Sequence, residues 1–265
     1  MVQTFIKITD SIRYAETIQK SILPSHEKMG QLLDEYFVIS KAKEVVSGDF
    51  YWISKIDNKI FTAVVDCTGH GVTGGFMTMI GHTLLNDIIN QNKVYDPSKI
   101  LEMLNKGVVN IIERQIQEVA IGMEVSLCVI EPLNSDENKV KITYGGAKRP
   151  LFLLGNNGHQ QQGNEITEIK GDRQPVGFFL DTNRVYSCEE IILDKGSIIY
   201  MTSDGVTDLS NPDNKRFGTP RLKKILKEIA PKNLIEQRVH LETIMKNFQA
   251  SAKQRDDITI MGVKV

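Results

Sequence analysis

Four acidic positions stand at the ends of apolar, strand-like runs, and this placement limits the possible folds more than any other feature of the chain. Asp66 closes the run FTAVVD, and Asp204 closes IIYMTSD. Asp49 precedes FYWI, and Asp256-Asp257 precedes the closing run ITIMGVKV. In antiparallel pairs the start of one strand lies beside the end of its neighbour. The pattern therefore predicts antiparallel strands that bring the aspartates to one sheet edge.

One pair of aspartates can be placed by counting. A two-residue hairpin loop at Asp57-Asn58 lies midway between Asp49 and Asp66, which makes these two direct cross-strand neighbours. Their Cβ atoms would be about 4.5–5.5 Å apart, where like charges destabilise a sheet unless a cation lies between them. Carboxylate ligands favour Mg²⁺ or Mn²⁺ over zinc. Two such ions can lower the pKa of a bridging water that attacks phosphorus. The alternative role, that of strand-ending turn formers, fits one aspartate better than four.

The periodicity of apolar residues indicates the order of the elements. It predicts helices over about 10–23, 73–91, 97–117, from Thr219-Pro220 onward and in a further segment up to about 252. It predicts strands at about 36–40, 50–56, 60–65, 123–131, 140–145, 150–154, 176–180, 186–193 and 197–203, and in the closing run. Long strand runs with grouped helices favour an α+β or layered sandwich over a strictly alternating parallel fold.

Composition excludes several classes of function. The 265 residues include 32 basic and 33 acidic side chains, a net charge of −1, which argues against nucleic-acid binding. Three cysteines are too few for a disulfide framework or a Cys-rich zinc site. The first residues lack the apolar core of a signal peptide, and no run approaches the roughly 18 apolar residues of a membrane helix. We expect a cytoplasmic catalytic domain, with any membrane tether in an upstream region of the full-length protein.

Other catalytic and binding motifs match only superficially. The segment GHGVTG after FTAVVD fits the dinucleotide fingerprint, but Asp66 would place a negative charge beside the pyrophosphate. No cysteine is followed six residues later by an arginine, so a cysteine-based phosphatase is excluded. Ser203 lacks the Gly-x-Ser-x-Gly elbow of a hydrolase, although Asp204 and His70 could suggest a triad.

Several segments, in order, carry a resemblance to one family: EVVSGDFYW, VVDCTGHGVTGGFMTMIG, GMEVSLCVI, YGGAKRPLFLL, GDRQPVGF, MTSDGVTDLSN, RFGTPRL and RDDITIMGV. Over roughly residues 35–265 the chain resembles the bacterial SpoIIE- and RsbU-type branch of the PPM (type-2C) metal-dependent protein serine/threonine phosphatases. The resemblance implies two packed antiparallel β-sheets flanked by helices, an αββα sandwich of the α+β class. We expect residues 1–30 to form an N-terminal linker or regulatory helix and residues 31–265 to form the catalytic domain.

The resemblance also implies roles for individual residues. Asp66 would bridge two divalent cations, Mn²⁺ or Mg²⁺. Asp204 and Asp256 would hold one of them. Asp49, with the Cys67 carbonyl, would hold the other directly or through water. Five further residues have supporting or undecided roles in the site: His70, Asp257, Asp208, Gly69 and Gly205. His70 is a candidate general acid or a turn residue, and Asp257 is expected to orient the ligands.

The chain departs from the family pattern at a few positions. The eukaryotic enzymes have Gly-Asp-Ser-Arg where this chain has Gly146-Ala147-Lys148-Arg149. A carboxylate of a third metal site is therefore missing, and Asp208 loses its partner in such a site. Ser47 replaces the first glycine of the usual Gly-Gly-Asp, and Glu124 stands where an aspartate is frequent.

By analogy with this family, we expect a phosphorylated protein substrate, a small STAS-type regulator of a partner-switching pathway. The segment SIRYAETIQKSILP looks like the helix that joins such domains to an upstream sensor module, and it is a candidate for homodimer formation. The alternative is a signalling scaffold that keeps the fold and lacks the activity. The presence of all four core aspartates favours the enzyme.

Overall fold

The computed structural model describes residues 2–112, 121–133, 135–155, 165–177 and 182–265. Its helices are α1 (Val2–Ile22), α2 (His26–Leu32), α3 (Gly71–Leu85), α4 (Pro97–Ile111), α5 (Asp204–Asp208), α6 (Thr219–Ile229) and α7 (Leu234–Gln249). A π-helical segment, Asn86–Gln91, continues α3. The strands are β1 (Tyr36–Lys41), β2 (Asp49–Ile56), β3 (Lys59–Cys67), β4 (Met123–Pro132), β5 (Lys139–Ala147), β6 (Leu151–Leu154), β7 (Ile166–Ile169), β8 (Glu189–Asp194), β9 (Ile198–Thr202) and β10 (Ile258–Lys264).

The strands form two five-stranded sheets within these ranges. Sheet A has the order β1-β10-β9-β6-β7, and sheet B has the order β2-β3-β4-β5-β8. Neighbouring strands pair antiparallel throughout both sheets. The chain starts in sheet A with β1, builds sheet B with β2–β5, adds β6 and β7 to sheet A, returns to sheet B for β8, and ends in sheet A with β9 and β10. This arrangement places residues from distant parts of the chain along one edge shared by the two sheets.

Apolar residues form three layers of core. Ile53 and Val64 of sheet B pack in the layer between the sheets, which also contains Met261 of sheet A. The neighbouring residue Trp52 points the other way, into the layer between sheet B and helices α3 and α4. This alternation follows from the two-residue period of a strand. A third layer, around Tyr200, lies between sheet A and helices α6 and α7. The αββα sandwich expected from the resemblance is confirmed.

Local sequence explains the element that matters most for the site, the β2–β3 hairpin. Asp57 adopts a left-handed φ of 53°, which suits a tight two-residue hairpin loop. The turn sets the register, so Asp49 pairs with Asp66 across the two strands. The cross-strand pairing predicted from the position of the turn is confirmed.

The structure differs from the predicted elements at a few places. In the described part of the strand expected at 176–180, Val176 forms a bridge with Met123, and the two residues exchange backbone hydrogen bonds of 2.8 Å. Pro175 lacks an N–H group, and Gly177 has a left-handed φ of 79°, so the ladder does not extend through residue 177. Residues 178–181 lie outside the described ranges, as do residues 113–120 at the end of the helix expected over 97–117. The short elements α2 and β7 were not predicted. No helix in the described ranges is both long and apolar enough to span a bilayer.

Candidate metal centre

Three carboxylates from different elements meet where the two sheets come together. Asp66 lies near the end of β3, and Glu124 is its cross-strand partner on β4. Asp204 follows β9 of sheet A and begins α5. One carboxylate oxygen from each of these residues lies within 4.8 Å of the others. The backbone N–H of Asp204 donates to Asp66 Oδ2 at 3.2 Å, so the cluster joins the two sheets.

Asp49 adds a fourth carboxylate, and it is almost completely buried. Its Oδ2 is inaccessible to solvent and has no hydrogen-bond partner among the described residues. Burial raises the pKa of Asp49 to about 8, and the charges of Asp257 and Asp204 add to the increase. The pKa of Asp66 is also raised well above its usual value, first by burial and then by the charge of Asp49. Buried carboxylates that repel one another fit the ligand set of a hard cation.

Asp256 and Asp257 enter the site from the start of β10. Asp257 Oδ2 accepts a hydrogen bond from the Gly48 N–H at 2.6 Å, and its Oδ1 accepts one from the Lys43 N–H at 2.7 Å. Asp257 therefore holds the loop that leads into Asp49. Asp256 Oδ1 accepts a hydrogen bond from the Asp257 N–H at 2.9 Å. The charge of Asp256 contributes, after burial, to the raised pKa of Asp204.

Two close backbone approaches explain the glycines of the site. Gly69 has a left-handed φ of 94°, and its carbonyl oxygen packs so tightly against Gly48 that a Cβ at position 48 would overlap it. A Cβ at position 205 would overlap the carbonyl oxygen of Asp257. Glycine at position 205 thus lets the start of α5, with Asp204, lie directly against the start of β10.

The remaining residues singled out from the sequence lie at the border of the cluster. Cys67 is buried, and burial followed by the charge of Asp66 raises the pKa of its thiol well above the usual value. A buried thiol that stays protonated is no nucleophile. His70 Nδ1 lies 2.6 Å from Glu44 Oε1. Asp208 Oδ1 accepts a hydrogen bond from Arg216 Nη1 at 3.1 Å, an exposed ion pair.

Lys148 and Arg149 were noted in the sequence only as a departure from the eukaryotic pattern. Lys148 Nζ pairs with Glu124 Oε1, and Arg149 Nη2 pairs with Glu124 Oε2. Arg149 Nη2 also lies 3.8 Å from Asp204 Oδ2. The position of Glu124 follows the rule that identified Asp49, because it lies near the start of the apolar run MEVSLCVI. The periodicity of the apolar residues does not identify Lys148 or Arg149 as residues of the site.

Two packed antiparallel sheets with carboxylates gathered at their shared edge define a PP2C-type phosphatase domain, a metal-dependent class. The family model of stage II sporulation protein E (SpoIIE) matches residues 56–265. The chain therefore belongs to the SpoIIE family, in the bacterial SpoIIE- and RsbU-type branch of the PPM serine/threonine phosphatases.

Individual relatives agree with this assignment. The phosphoserine phosphatase RsbU of Bacillus subtilis (strain 168) is 26% identical over 224 residues, which cover 84% of this chain and 60% of RsbU. The structure of the SiaA-PP2C domain of Pseudomonas aeruginosa matches with a TM-score of 0.84 and 29% identity over the whole of both chains. The structure of the PP2C phosphatase domain and a fragment of the regulatory domain of SpoIIE from Bacillus subtilis has the same fold, with a TM-score of 0.66 and 18% identity over 87% of this chain and 63% of that one.

Proposed function

We propose that the chain hydrolyses phosphoserine or phosphothreonine on a partner protein with the help of two divalent cations, Mn²⁺ or Mg²⁺. The observation that carries the proposal is the meeting of Asp66, Glu124 and Asp204 beside the buried carboxylate of Asp49, whose Oδ2 has no hydrogen-bond partner among the described residues. Four carboxylates held together in a partly buried site repel one another, and divalent cations remove that cost. Membership of the SpoIIE family supports the same reaction.

Individual residues have distinct parts in the proposed site. Asp66, at the centre of the cluster, would help to hold both ions, Asp204 and Asp256 would hold one of them, and Asp49 with the Cys67 carbonyl would hold the other, directly or through water. When bound, the ions supply positive charge to the phosphate oxygens and lower the pKa of a water. The chain's own contribution is to hold the carboxylates at fixed positions. The hydrogen bonds that Asp257 accepts fix the loop before Asp49, and the guanidinium of Arg149 fixes the carboxylate of Glu124.

The substrate class rests on the relatives. RsbU is named a phosphoserine phosphatase, and this chain spans about 60% of its length. We propose a small STAS-type regulator as the phosphoprotein, by analogy with the partner-switching pathways of this family. Comparing kcat/KM on purified phosphorylated STAS-type proteins with kcat/KM on phosphopeptides of the same local sequence tests this choice. Equal kcat/KM on a protein and on its peptide would argue against recognition of a folded partner.

A regulatory role for the N-terminal helix is supported by its packing. Helix α1 lies on α3, and Gln19 of α1 bonds both backbone groups of Ser47, with Nε2 2.6 Å from the carbonyl oxygen and Oε1 3.0 Å from the N–H. Exposed apolar side chains occur on both helices, and Tyr14 on α1 with Phe76 and Met79 on α3 define the apolar surface of this helix pair. We propose that this surface forms the homodimer contact and that an upstream sensor module acts on the Asp49 loop through α1.

Deleting residues 1–24 tests that role. The shortened chain should show altered turnover, because Ser47 loses the side chain that fixes its backbone. It should also show an altered oligomeric state by light scattering. Unchanged turnover together with an unchanged oligomeric state would exclude both the switch and the dimer.

The reaction itself is tested by manganese-dependent hydrolysis of p-nitrophenyl phosphate and of a phosphoprotein. Asp66→Asn and Asp204→Asn should each lower kcat by at least about a hundredfold, since each removes a cluster carboxylate. Asp34→Asn is the matched control: it removes one exposed carboxylate two residues before the start of β1, where Tyr36 pairs with Val263 at the end of β10 opposite to Asp257. If the parent chain has no metal-stimulated activity on either substrate, the catalytically inactive scaffold is the correct interpretation.

A further inference from the structure

Two basic side chains lie against the carboxylate cluster, and neither is a metal ligand. Lys148 and Arg149 bind opposite oxygens of Glu124. Arg149 also approaches the carboxylate of Asp204 at 3.8 Å. The phosphorylated substrate of the proposed reaction carries negative charge and must approach a site lined by acidic groups. A mobile cation at its border can bind that charge directly.

The side chains of Lys148 and Arg149 are held in different ways. The side chain of Arg149 is only 12% exposed, and the hydroxyl of Tyr144 donates to its backbone carbonyl. Arg149 Nε is buried with no hydrogen-bond partner among the described residues. The side chain of Lys148 is 50% exposed. A lysine ammonium on its flexible stem can exchange one acceptor for another, whereas a packed guanidinium keeps its position. Arg149 can therefore hold Glu124 while Lys148 moves.

The backbone of Lys148 has a strained conformation. Its φ of 66° lies in the left-handed region, which is uncommon for residues other than glycine, asparagine and aspartate. The conformation is fixed from both sides, because the Lys148 N–H donates to Asp172 O at 2.6 Å and the Asp172 N–H donates to Gly146 O at 2.7 Å. A glycine would adopt this conformation without strain. Strain that surrounding contacts maintain is typical of functional positions.

We propose that Lys148 binds the phosphate group of the substrate, a phosphomonoester dianion. In the free protein its ammonium pairs with Glu124. When substrate binds, Lys148 turns to a phosphate oxygen, and Arg149 retains Glu124 beside Asp204. This inference rests on the proposed function for the identity of the substrate, but the binding of phosphate can be measured without turnover.

The experiment compares Lys148→Gln and Lys148→Gly with Lys141→Gln in the full chain. Lys141 lies on β5, the strand that ends just before Lys148, and pairs with Glu131 at 2.7 Å and Glu190 at 3.1 Å, so its replacement also removes one cation from an ion pair. Binding of inorganic phosphate is measured by calorimetry in saturating Mg²⁺. KM is measured with a phosphopeptide. The glycine variant relieves the left-handed strain, so a loss shared by both Lys148 variants does not come from misfolding; melting temperatures verify this.

Both Lys148 variants should weaken phosphate binding and raise KM by about tenfold, the value of one charge-assisted hydrogen bond at a half-exposed position, with Lys141→Gln unchanged. Phosphate affinity and KM that match the parent in both variants would overturn the assignment of Lys148 while leaving the phosphatase reaction intact. If the parent binds phosphate through Lys148 yet hydrolyses nothing, the proposed reaction is wrong and the phosphate site remains.

Discussion

Metal-free protein should become less stable as the pH rises, because Asp49 is buried as a neutral acid. Burial, followed by the charges of Asp257 and Asp204, raises the pKa of Asp49 from 3.8 to about 8. Between these values the folded chain keeps a proton that the unfolded chain has released. The free energy of unfolding then falls by about 1.4 kcal/mol per pH unit. The stabilising contribution is complete below a pH of about 4 and is lost above about 8. The raised pKa of Asp66 acts in the same direction.

Urea denaturation in the presence of a chelator measures this effect. Asp49 alone should lower the free energy of unfolding by roughly 3–4 kcal/mol between pH 5 and pH 8. Asp49→Asn lacks the ionisable group, so its stability should fall less steeply and should exceed that of the parent at pH 8. Asp34→Asn, which removes an exposed carboxylate, should behave like the parent.

Adding Mn²⁺ at pH 8 extends the same experiment. Ionised Asp49 becomes a ligand, so the parent should gain about 2.7 kcal/mol at a free ion concentration one hundred times Kd, and Asp49→Asn should gain less. The reasoning is refuted if the metal-free parent is equally stable at pH 5 and pH 8. Equal slopes for the parent and Asp49→Asn would refute it as well.

Two further substitutions test the packing around the site. Gln19→Leu leaves the buried Ser47 N–H without its acceptor and should lower the free energy of unfolding by about 1–3 kcal/mol; an unchanged urea midpoint would show that α1 does not fix this loop. Gly205→Ala should lower the melting temperature and the affinity for Mn²⁺, because its methyl group would overlap the Asp257 carbonyl. Gly30→Ala, which has open space around the new methyl group, is the control and should be neutral or slightly stabilising.

The hairpin of β2 and β3 shows why part of the site could be predicted from the sequence. The position of the turn and the strand period determine which residues face each other, so the pairing of Asp49 with Asp66 needed only local information. The convergence of Asp204 with Asp66 was expected from their positions at strand ends, although the rule did not assign the two residues to different sheets. The hydrogen bond from Asp204 to Asp66 agrees with that expectation. The rule worked because each of these acids ends or begins a buried strand.

The pairing of Glu124 with Asp66 could not be counted in the same way. Two helices, α3 and α4, separate β3 from β4, and the register across such a long connection depends on packing rather than on a turn. Lys148 was still less accessible to prediction. Its contact with Glu124 depends on a left-handed backbone at a sheet corner, which no hydrophobic pattern records. The strand expected at 176–180 does not continue through Gly177, because Pro175 and Gly177 act on backbone hydrogen bonding and conformation, which the apolar pattern does not record.

The division of the acidic residues between the two sheets has a consequence for local opening of the fold. Asp49, Asp66 and Glu124 belong to one layer, and Asp204 and Asp256 to the other. An ion held by both groups would cross-link the layers at this end of the sandwich. Amide hydrogen exchange at the ends of β3 and β9 should therefore slow together when Mg²⁺ is added, whereas exchange in β7, at the far edge of its sheet, should keep its rate.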